Sequence, residues 1–450
     1  MLVAGTGYAS AQYASVAGPG YGAPQGAQQQ PETRGNQPDV PPINPPTLRQ
    51  LPDGHGQLTL GDWLLYPTLT LTSSYDTNLY SSATFPIAAA GFGINPSIVA
   101  KRDTGIWQTT LYGNLDTTQY PFNQSQNDTH NRQAGFTQTY EAMRDLIFTV
   151  QGNYSHQSNA SVFTPIIPTS IISPATPAAL GAAGVTAIQQ TIQNPNDVFS
   201  LNESIYKELN RAFVVFDATQ LSTNYSNQLI SKNYSTQTYG GSGGYWFSPL
   251  FYAYVDGRQA FQSTEDELGL SAYTVRGGIG SARIGLFSGS AYYGRQGAQI
   301  NSAAGTAKGD IYGGTLSYFP TSFWNFNLSV DRVINISNIA STTSAISNLP
   351  LAFNIGINES ARITTTSLGT NYRWSDQTSL FGAVAYTNVD FIATPPVPVE
   401  NQWVGSAGIS HKLSDQLSVN FTYQYQATVS KQPGINTTRN FVALSATYNF

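Results

Sequence analysis

Apolar and polar residues alternate along much of this 450-residue chain. In Leu417–Ser430, LSVNFTYQYQATVS, the odd positions carry apolar or aromatic side chains and the even positions carry polar ones. A period of two is typical of a β-strand with one face in an apolar environment. This stretch of 14 residues is longer than the usual strand of about 5–6 residues. Its length and aromatic residues favour a strand that crosses a membrane.

The same alternation recurs at Trp107–Asp116, Leu146–Ser155 and Asn325–Asp331, and tight connections alternate with long ones. The predicted tight turns are 101–105, 142–145, 208–211, 247–249, 281–283, 320–322, 374–378 and 412–416. Tight turns at one end and long loops at the other are typical of outer-membrane barrels. The pattern predicts an all-β fold over residues 61–450, a transmembrane antiparallel barrel of about 18 strands, with short periplasmic turns and long extracellular loops.

The chain ends on an alternating strand with apolar residues at Val442, Leu444, Ala446, Tyr448 and Phe450. We expect this strand to pair with the first strand, because a closed barrel leaves no free edge. A terminal strand that ends on Phe also resembles the signal read by the barrel assembly machinery. That resemblance makes Tyr448 and Phe450 the predicted assembly signal.

Composition narrows the class of protein further. Charged residues make up 10% of the chain and aromatic residues 12%, against about 25% charged residues in typical soluble domains. No apolar run approaches the roughly 18–20 residues of a membrane helix. Cysteine is absent and the net charge is −5, so disulfides, thiolate sites and a nucleic-acid footprint are excluded. We expect no cofactor and no metal site.

The N-terminal region differs in character from the rest. Residues 1–11 contain Ala9-Ser10-Ala11, a small-x-small pattern that predicts the remnant of a signal peptide, with a chance match in an Ala-rich segment as the alternative. Residues 12–60 are rich in Pro, Gly and Gln and predict a disordered periplasmic linker.

The first predicted strand carries a recognisable ending, Tyr75-Asp76-Thr77-Asn78-Leu79-Tyr80, within YPTLTLTSSYDTNLY. This ending resembles the first strand of the second group of uncharacterised β-barrel porins of Gram-negative bacteria. The resemblance covers roughly Leu65–Phe450. It implies a location in the bacterial outer membrane and, for some members, an association with exopolysaccharide gene clusters. It supplies no substrate and no catalytic residue.

Strand parity predicts which side chains face the lumen, and most of them are neutral amides. The candidates are Gln108, Asn114, Asp116, Gln151, Asn153, Arg276, Asn327, Asp331, Asn420, Gln424 and Gln426. Rings of fixed charge select ions, whereas a neutral wall that forms hydrogen bonds suits sugars and other uncharged polar solutes. The alternative is that these amides only solvate the interior, with selectivity in an inward-folded loop.

We therefore expect a porin-like channel for passive diffusion of small polar solutes, with saccharides as one class. The alternative is an accessory barrel for exopolysaccharide export or anchoring, in which residues 12–56 contact periplasmic proteins. A plugged structural barrel is the third possibility. The four His residues do not accompany a Ser and an acid in a catalytic pattern, so we do not expect an enzyme.

Two further segments suggest partners. The apolar loop 157–196 could form a constriction, pack on a neighbouring protomer, or be an insertion without function. Glu265, Asp266 and Glu267 could bind a divalent cation or bridge to lipopolysaccharide, or form a solvated loop tip. The expected partners are outer-membrane lipid, lipopolysaccharide, the barrel assembly machinery, small polar solutes and a second copy of the chain, but not nucleic acid.

Overall fold

A computed structural model describes ten segments of the chain. They are residues 58–79, 86–121, 128–158, 195–226, 233–264, 269–300, 306–336, 360–392, 400–430 and 436–450. Regular structure in these segments consists of strands alone. No helix in them is long and apolar enough to cross a membrane.

Nineteen strands form in the described segments. They are β1 (Leu58–Leu60), β2 (Trp63–Asp76), β3 (Ala89–Asp103), β4 (Trp107–Gln119), β5 (Thr129–Met143), β6 (Leu146–Gln157), β7 (Asn196–Leu209), β8 (Ala212–Tyr225), β9 (Tyr234–Ser248), β10 (Phe251–Thr264), β11 (Leu270–Ile284), β12 (Phe287–Ile300), β13 (Thr306–Thr321), β14 (Trp324–Ile336), β15 (Ser360–Arg373), β16 (Thr378–Ile392), β17 (Glu400–Lys412), β18 (Leu417–Ser430) and β19 (Thr437–Asn449).

Strands β2 to β19 form one closed antiparallel barrel. Each strand pairs with the next in the chain, and β19 pairs with β2 from Phe441 opposite Asp76 to Asn449 opposite Thr68. The barrel strands run from 12 residues in β6 to 16 in β13, long enough to cross a bilayer when tilted. The prediction of an antiparallel barrel of 18 strands is confirmed.

The short strand β1 lies outside this ring of 18. It folds back on β2, with Leu58 opposite Leu65 and Leu60 opposite Trp63. It thus pairs with the same edge of β2 as β19 does, beyond the end of β19. At that end of β19, the Phe450 backbone nitrogen donates to the Pro67 carbonyl at 3.2 Å. From their composition, Leu58–Leu60 were predicted to be the end of the linker. Residues 1–57, which hold the predicted signal-peptide remnant and most of the linker, lie outside the described residues.

Eight tight connections join the barrel strands β2 to β19 at one end, as predicted, but the turn at 281–283 was placed wrongly. Strand β11 continues to Ile284, and the Ala282 backbone nitrogen donates to the Leu250 carbonyl at 2.8 Å. The turn is formed by Gly285 and Leu286. Gly285 has φ 61°, a left-handed conformation that glycine adopts without steric cost. This conformational need, and not the polarity of Ser-Ala-Arg, sets the position of the turn.

The two faces of the wall differ in chemistry and in exposure. Every barrel strand bears a large apolar or aromatic residue that is exposed on the outer face: Leu71, Ile94, Leu111, Phe136, Tyr154, Ile205, Phe216, Tyr245, Val255, Ile279, Tyr293, Leu316, Leu328, Leu368, Val384, Ile409, Phe421 and Leu444. Inward positions are more buried and mostly polar. In β18, Phe421 is 42% exposed whereas its neighbours Asn420 and Thr422 are 4% and 3% exposed. The barrel therefore has an apolar exterior and a polar interior.

Candidate functional site: the lumen wall

All eleven residues that were predicted to face the lumen lie on the inward face of their strands. In each strand, they occupy the same alternate positions as residues that are buried on the inward face. Examples of these buried residues are Tyr112 in β4, Ile147 in β6, Ser329 in β14 and Thr422 in β18. Placement on this face follows from the strand register. A role of these residues in the passage of a solute stays a prediction.

An amide cluster lies on β17 and β18. It consists of Gln402, Gln424 and Gln426, which are 3%, 1% and 2% exposed. Strand register places Gln402 opposite Thr428 and Gln426 opposite Arg439. Among the residues described, neither the nitrogen nor the oxygen of the Gln402 and Gln424 amides has a hydrogen-bond partner, and the Gln426 oxygen has none either. Buried amides without partners are rare in proteins, so this cluster holds donors and acceptors on the inward face that the chain itself does not use.

Some amides of β4 to β6 have partners within the wall, although the buried Asn114 oxygen of β4 has none among the residues described. The Asn153 side-chain oxygen accepts hydrogen bonds from the Tyr112 hydroxyl at 2.5 Å and from the Gln133 amide nitrogen at 2.9 Å. Near the tight-turn end, the Gln108 amide nitrogen donates to Asp103 at 2.9 Å. These interactions hold the amides in place within the wall and leave them less capacity for a ligand.

A charged network crosses β8, β10 and β11. The Arg258 guanidinium lies 2.8 Å from an oxygen of Asp217 and 3.2 Å from one of Asp256. The Arg276 guanidinium lies 3.1 Å from the other Asp256 oxygen. All four side chains are buried. Charges buried in this way are paired because an isolated one would lose its hydration without compensation.

The network continues to β12 and β14 through Tyr292. The Arg276 guanidinium carbon lies 4.9 Å from the centroid of the Tyr292 ring, and the Tyr292 hydroxyl donates a short hydrogen bond to Asp331. Three carboxylates thus accompany two guanidinium groups, a formal excess of one negative charge. The sequence predicted Arg276 and Asp331 as separate lumen residues. The structure brings them into one network and adds Asp217, Asp256 and Arg258.

Gly240 makes possible the one ion pair of this network that reaches across an intervening strand, between Asp217 of β8 and Arg258 of β10. In the register, Gly240 of β9 lies between Asp217 of β8 and Arg258 of β10. A Cβ atom at Gly240 would lie 2.6 Å from an Asp217 carboxylate oxygen. Because glycine leaves this space empty, the ion pair passes over β9 from one neighbour to the other.

An apolar cluster lines the tight-turn end of the same wall. It contains the buried side chains of Ile147, Tyr206, Phe213, Val215, Trp246, Tyr252 and Tyr254. The rings of Trp246 and Tyr252 lie 4.4 Å apart between centroids. The inward aromatic residues of β10 explain why this strand shows poor alternation in the sequence, since Tyr252 and Tyr254 share a face with Asp256 and Arg258.

On the outer face, aromatic residues gather next to the tight turns. Trp107 stacks on Tyr140 at 4.2 Å between ring centroids, and Phe287 stacks on Tyr318 at 4.7 Å. Aromatic girdles flanking an exposed apolar band mark the lipid interface of transmembrane barrels, and bacterial ones have an even number of strands. The chain is an outer-membrane β-barrel. The tight turns then lie on the periplasmic side, since transmembrane barrels carry short turns there and long loops outside.

No protein-family model matches the sequence, and no curated protein matches it either. Solved structures similar to this outer-membrane barrel include a BenF-like porin from Pseudomonas fluorescens Pf-5, with 10% identity and a TM-score of 0.47 over 87% of this chain and 100% of the porin. The outer membrane protein OpdK from Pseudomonas aeruginosa shares 10% identity with this chain, with a TM-score of 0.44 over 85% of this chain and 98% of OpdK.

The FrpB iron transporter from Neisseria meningitidis shares 9% identity with a TM-score of 0.44 over 81% of this chain. The chain spans 62% of the length of FrpB. At these identities, the solute of the outer-membrane barrel has to be argued from its own residues.

The remaining predicted sites divide between described and other residues. Tyr448 and Phe450 lie on the outer face, with ring centroids 4.9 Å apart in an edge-to-face contact, and their role in assembly stays a prediction. Glu265, Asp266, Glu267 and residues 159–194 of the predicted apolar loop lie outside the described residues. In the described part of the chain, no cluster of His, Asp and Glu could hold a metal ion.

Proposed function

We propose that this barrel is a passive channel of the outer membrane for small polar solutes, with saccharides as the favoured class. The observation that carries the proposal is the amide cluster of Gln402, Gln424 and Gln426, with its unpartnered donors and acceptors on the inward face. Sugar hydroxyls donate and accept hydrogen bonds in the same way as amides. A wall of this type suits an uncharged solute rich in hydroxyl groups.

The arrangement of charges supports an uncharged solute as well. Both guanidinium groups of the network are paired with carboxylates, Arg258 with Asp217 and Asp256, and Arg276 with Asp256. Charge selectivity in channels comes from rings of side chains of one sign. Paired charges on one wall produce a weaker electric field in the lumen than a ring of charges of one sign. We therefore expect only a weak preference for cations, caused by the one carboxylate that the network has in excess of its guanidinium groups.

Conductance of the refolded full-length protein in a planar bilayer, with and without maltohexaose, tests this function. We expect a steady conductance in potassium chloride that maltohexaose blocks in a concentration-dependent manner. A folded barrel that never conducts would contradict the channel function.

Substitution of Gln424 tests the role of the amide cluster. In Gln424→Leu, we expect an unchanged open conductance and a block by maltohexaose about tenfold weaker, since a lost hydrogen bond costs roughly 1 kcal/mol or slightly more. Gln138→Leu makes the same change on the outer face of β5 and serves as the control. Equal block constants in both variants would remove the amide cluster from the solute path.

An accessory barrel for exopolysaccharide export or anchoring is the second candidate, and the burial of the β18 wall favours it. The inward residues Ser418 to Thr428 retain only 1–5% exposure, whereas a wide lumen filled with water would wet them. A narrow lumen would then open with the help of a partner. Deletion of residues 1–57 distinguishes the two: a passive channel keeps its conductance, and an export accessory loses polymer secretion.

A further inference from the structure

Four polar side chains interrupt the apolar outer face of the barrel on adjacent strands. They are Glu203 of β7, Gln220 of β8, Gln237 of β9 and Gln259 of β10, and together we call them the polar patch. Glu203, Gln220 and Gln237 are exposed, and Gln259 is partly exposed. Glu203 has the same parity as the exposed Phe199 and Ile205 of its strand, so its carboxylate points towards lipid.

Glu203 lies in the middle of the membrane-spanning wall. It is opposite Val150 of β6 and Ala218 of β8. Towards the periplasm, Ile205 faces Phe148, whose ring lies 6.2 Å from that of Tyr140 in the girdle. Towards the loops, Phe199 faces Tyr154. The carboxylate is therefore placed within the apolar band, where charged side chains on the lipid face destabilise a barrel.

Nothing in the described chain compensates this carboxylate. Glu203 forms no ion pair or side-chain hydrogen bond with any residue that the structure describes. The nearest amide pair is Gln220 opposite Gln237 in the register of β8 and β9. Two of the glutamines have partners within the wall: the Gln259 amide nitrogen donates to the Ser271 hydroxyl at 2.8 Å, and the Gln237 amide oxygen accepts from the Tyr239 hydroxyl at 3.3 Å. Lipid tails cannot solvate the Glu203 carboxylate or the Gln220 amide, so these two groups need a polar protein surface against them.

Small and large residues share the outer face around the polar patch. Ala218, Gly241, Gly243 and Gly257 occupy outward positions there. The rings of Tyr239, opposite Ala218 and Gln259, and of Phe261, opposite Gln237, are 53% and 50% exposed beside them. A Cβ atom at Gly257 would meet no atom within 4 Å. Small residues let two walls in a membrane approach closely. On the opposite wall, Phe421, Tyr423 and Tyr425 of β18 project into the lipid.

We propose that the polar patch is the contact surface between two copies of this chain, related by a two-fold axis. In a two-fold contact, each copy presents the same patch to the other. Amides are self-complementary because each one donates and accepts, and the amide nitrogens of Gln220 and Gln237 supply the donors that the partner copy's carboxylate at position 203 requires. A second copy thus supplies donors to the carboxylate and a partner to the Gln220 amide without any other component.

The absence of cysteine from the chain makes cross-linking a clean test. An Ala218→Cys variant, which leaves all four patch residues intact, is treated in outer-membrane vesicles with a flexible bis-maleimide and should yield a product of twice the mass of the chain. Phe421→Cys is the control on the opposite wall, since β18 lies nine strands from β9 in the ring of 18, and it should yield none. No Ala218→Cys product, a product with a different mass, or equal products from both variants would overturn the proposal.

Substitution of Glu203 supplies a second test, with folding checked by the heat-modifiable mobility of barrels in gel electrophoresis. We expect the full-length protein in mild detergent to show the mass of a dimer, and Glu203→Leu together with Gln220→Leu to raise the dimer dissociation constant at least tenfold while the barrel stays folded. A wild-type protein with the mass of one copy, or a folded double variant with unchanged dimerisation, would contradict the two-fold contact.

Discussion

At the scale of single residues, the described part of the ending, Tyr75-Asp76-Thr77-Asn78-Leu79, joins the first barrel strand to the last. The Arg439 guanidinium donates to Asp76 through Nε at 2.8 Å and through Nη2, and both side chains are buried. The backbone nitrogen of Thr77 donates to the Asn440 carbonyl at 3.0 Å, and the Thr77 hydroxyl oxygen accepts from the Asn440 backbone nitrogen at 2.9 Å. The Asn78 amide donates to the Thr438 carbonyl at 3.1 Å. The motif therefore has a structural role at the closing seam.

Removal of one partner of this buried pair should destabilise the barrel strongly. We expect Asp76→Ala to lower the free energy of unfolding by about 3–5 kcal/mol, because Arg439 is left as an uncompensated buried charge. Urea unfolding followed by tryptophan fluorescence measures the change. The double variant Asp76→Ala with Arg439→Leu should recover part of the loss. If the free energy of unfolding of Asp76→Ala lay within about 1 kcal/mol of the wild-type value, the pair of Asp76 and Arg439 would be well hydrated and contribute little.

At the scale of elements, the charged network depends on a glycine in a strand that contributes no charge. Gly240→Ala places a methyl group against the Asp217 carboxylate, which must then move away from Arg258. We expect a loss of about 1–3 kcal/mol in the free energy of unfolding, together with a shift in the reversal potential under a salt gradient. Gly405→Ala is the control, since a Cβ atom there would meet no atom within 4 Å. Similar losses in both variants would mean that strand propensity, and not the ion pair, is responsible.

The strand pattern was predictable because the lipid-facing side of each strand must be apolar, which makes apolar and polar residues alternate in the sequence. The side-chain contacts between strands were not predictable from this alternation. The ion pair of Asp217 and Arg258 joins residues 41 positions apart, and only the register over Gly240 brings them together. Gln402 was missed for a simpler reason: from the sequence we predicted residues 392–401 as a long loop that ends directly before it, whereas β17 begins at Glu400. The polar patch was missed because its four residues are scattered over four strands.

At the scale of the whole molecule, the last residue contributes to closure. Removal of Phe450 deletes the backbone hydrogen bond to Pro67 and the ring contact with Tyr448, and with them the terminal aromatic residue of the predicted assembly signal. We expect a reduced fraction of heat-modifiable, folded protein in the outer membrane. Phe450→Tyr keeps the ring and the backbone and should assemble normally. Normal assembly of the truncated chain would refute the predicted role of the terminus.

The closing seam also constrains how the protein can fold. Asp76 and Arg439 are separated by 363 positions, and the loop between them has to be closed before their pairing stabilises anything. Only the pairing of β19 with β2 is this distant, since every other barrel strand pairs with its neighbour in the chain. Until the last strand pairs, the sheet keeps two unpaired edges, which are prone to aggregation. The whole chain has to be delivered to the membrane and kept from aggregating until its final residues arrive.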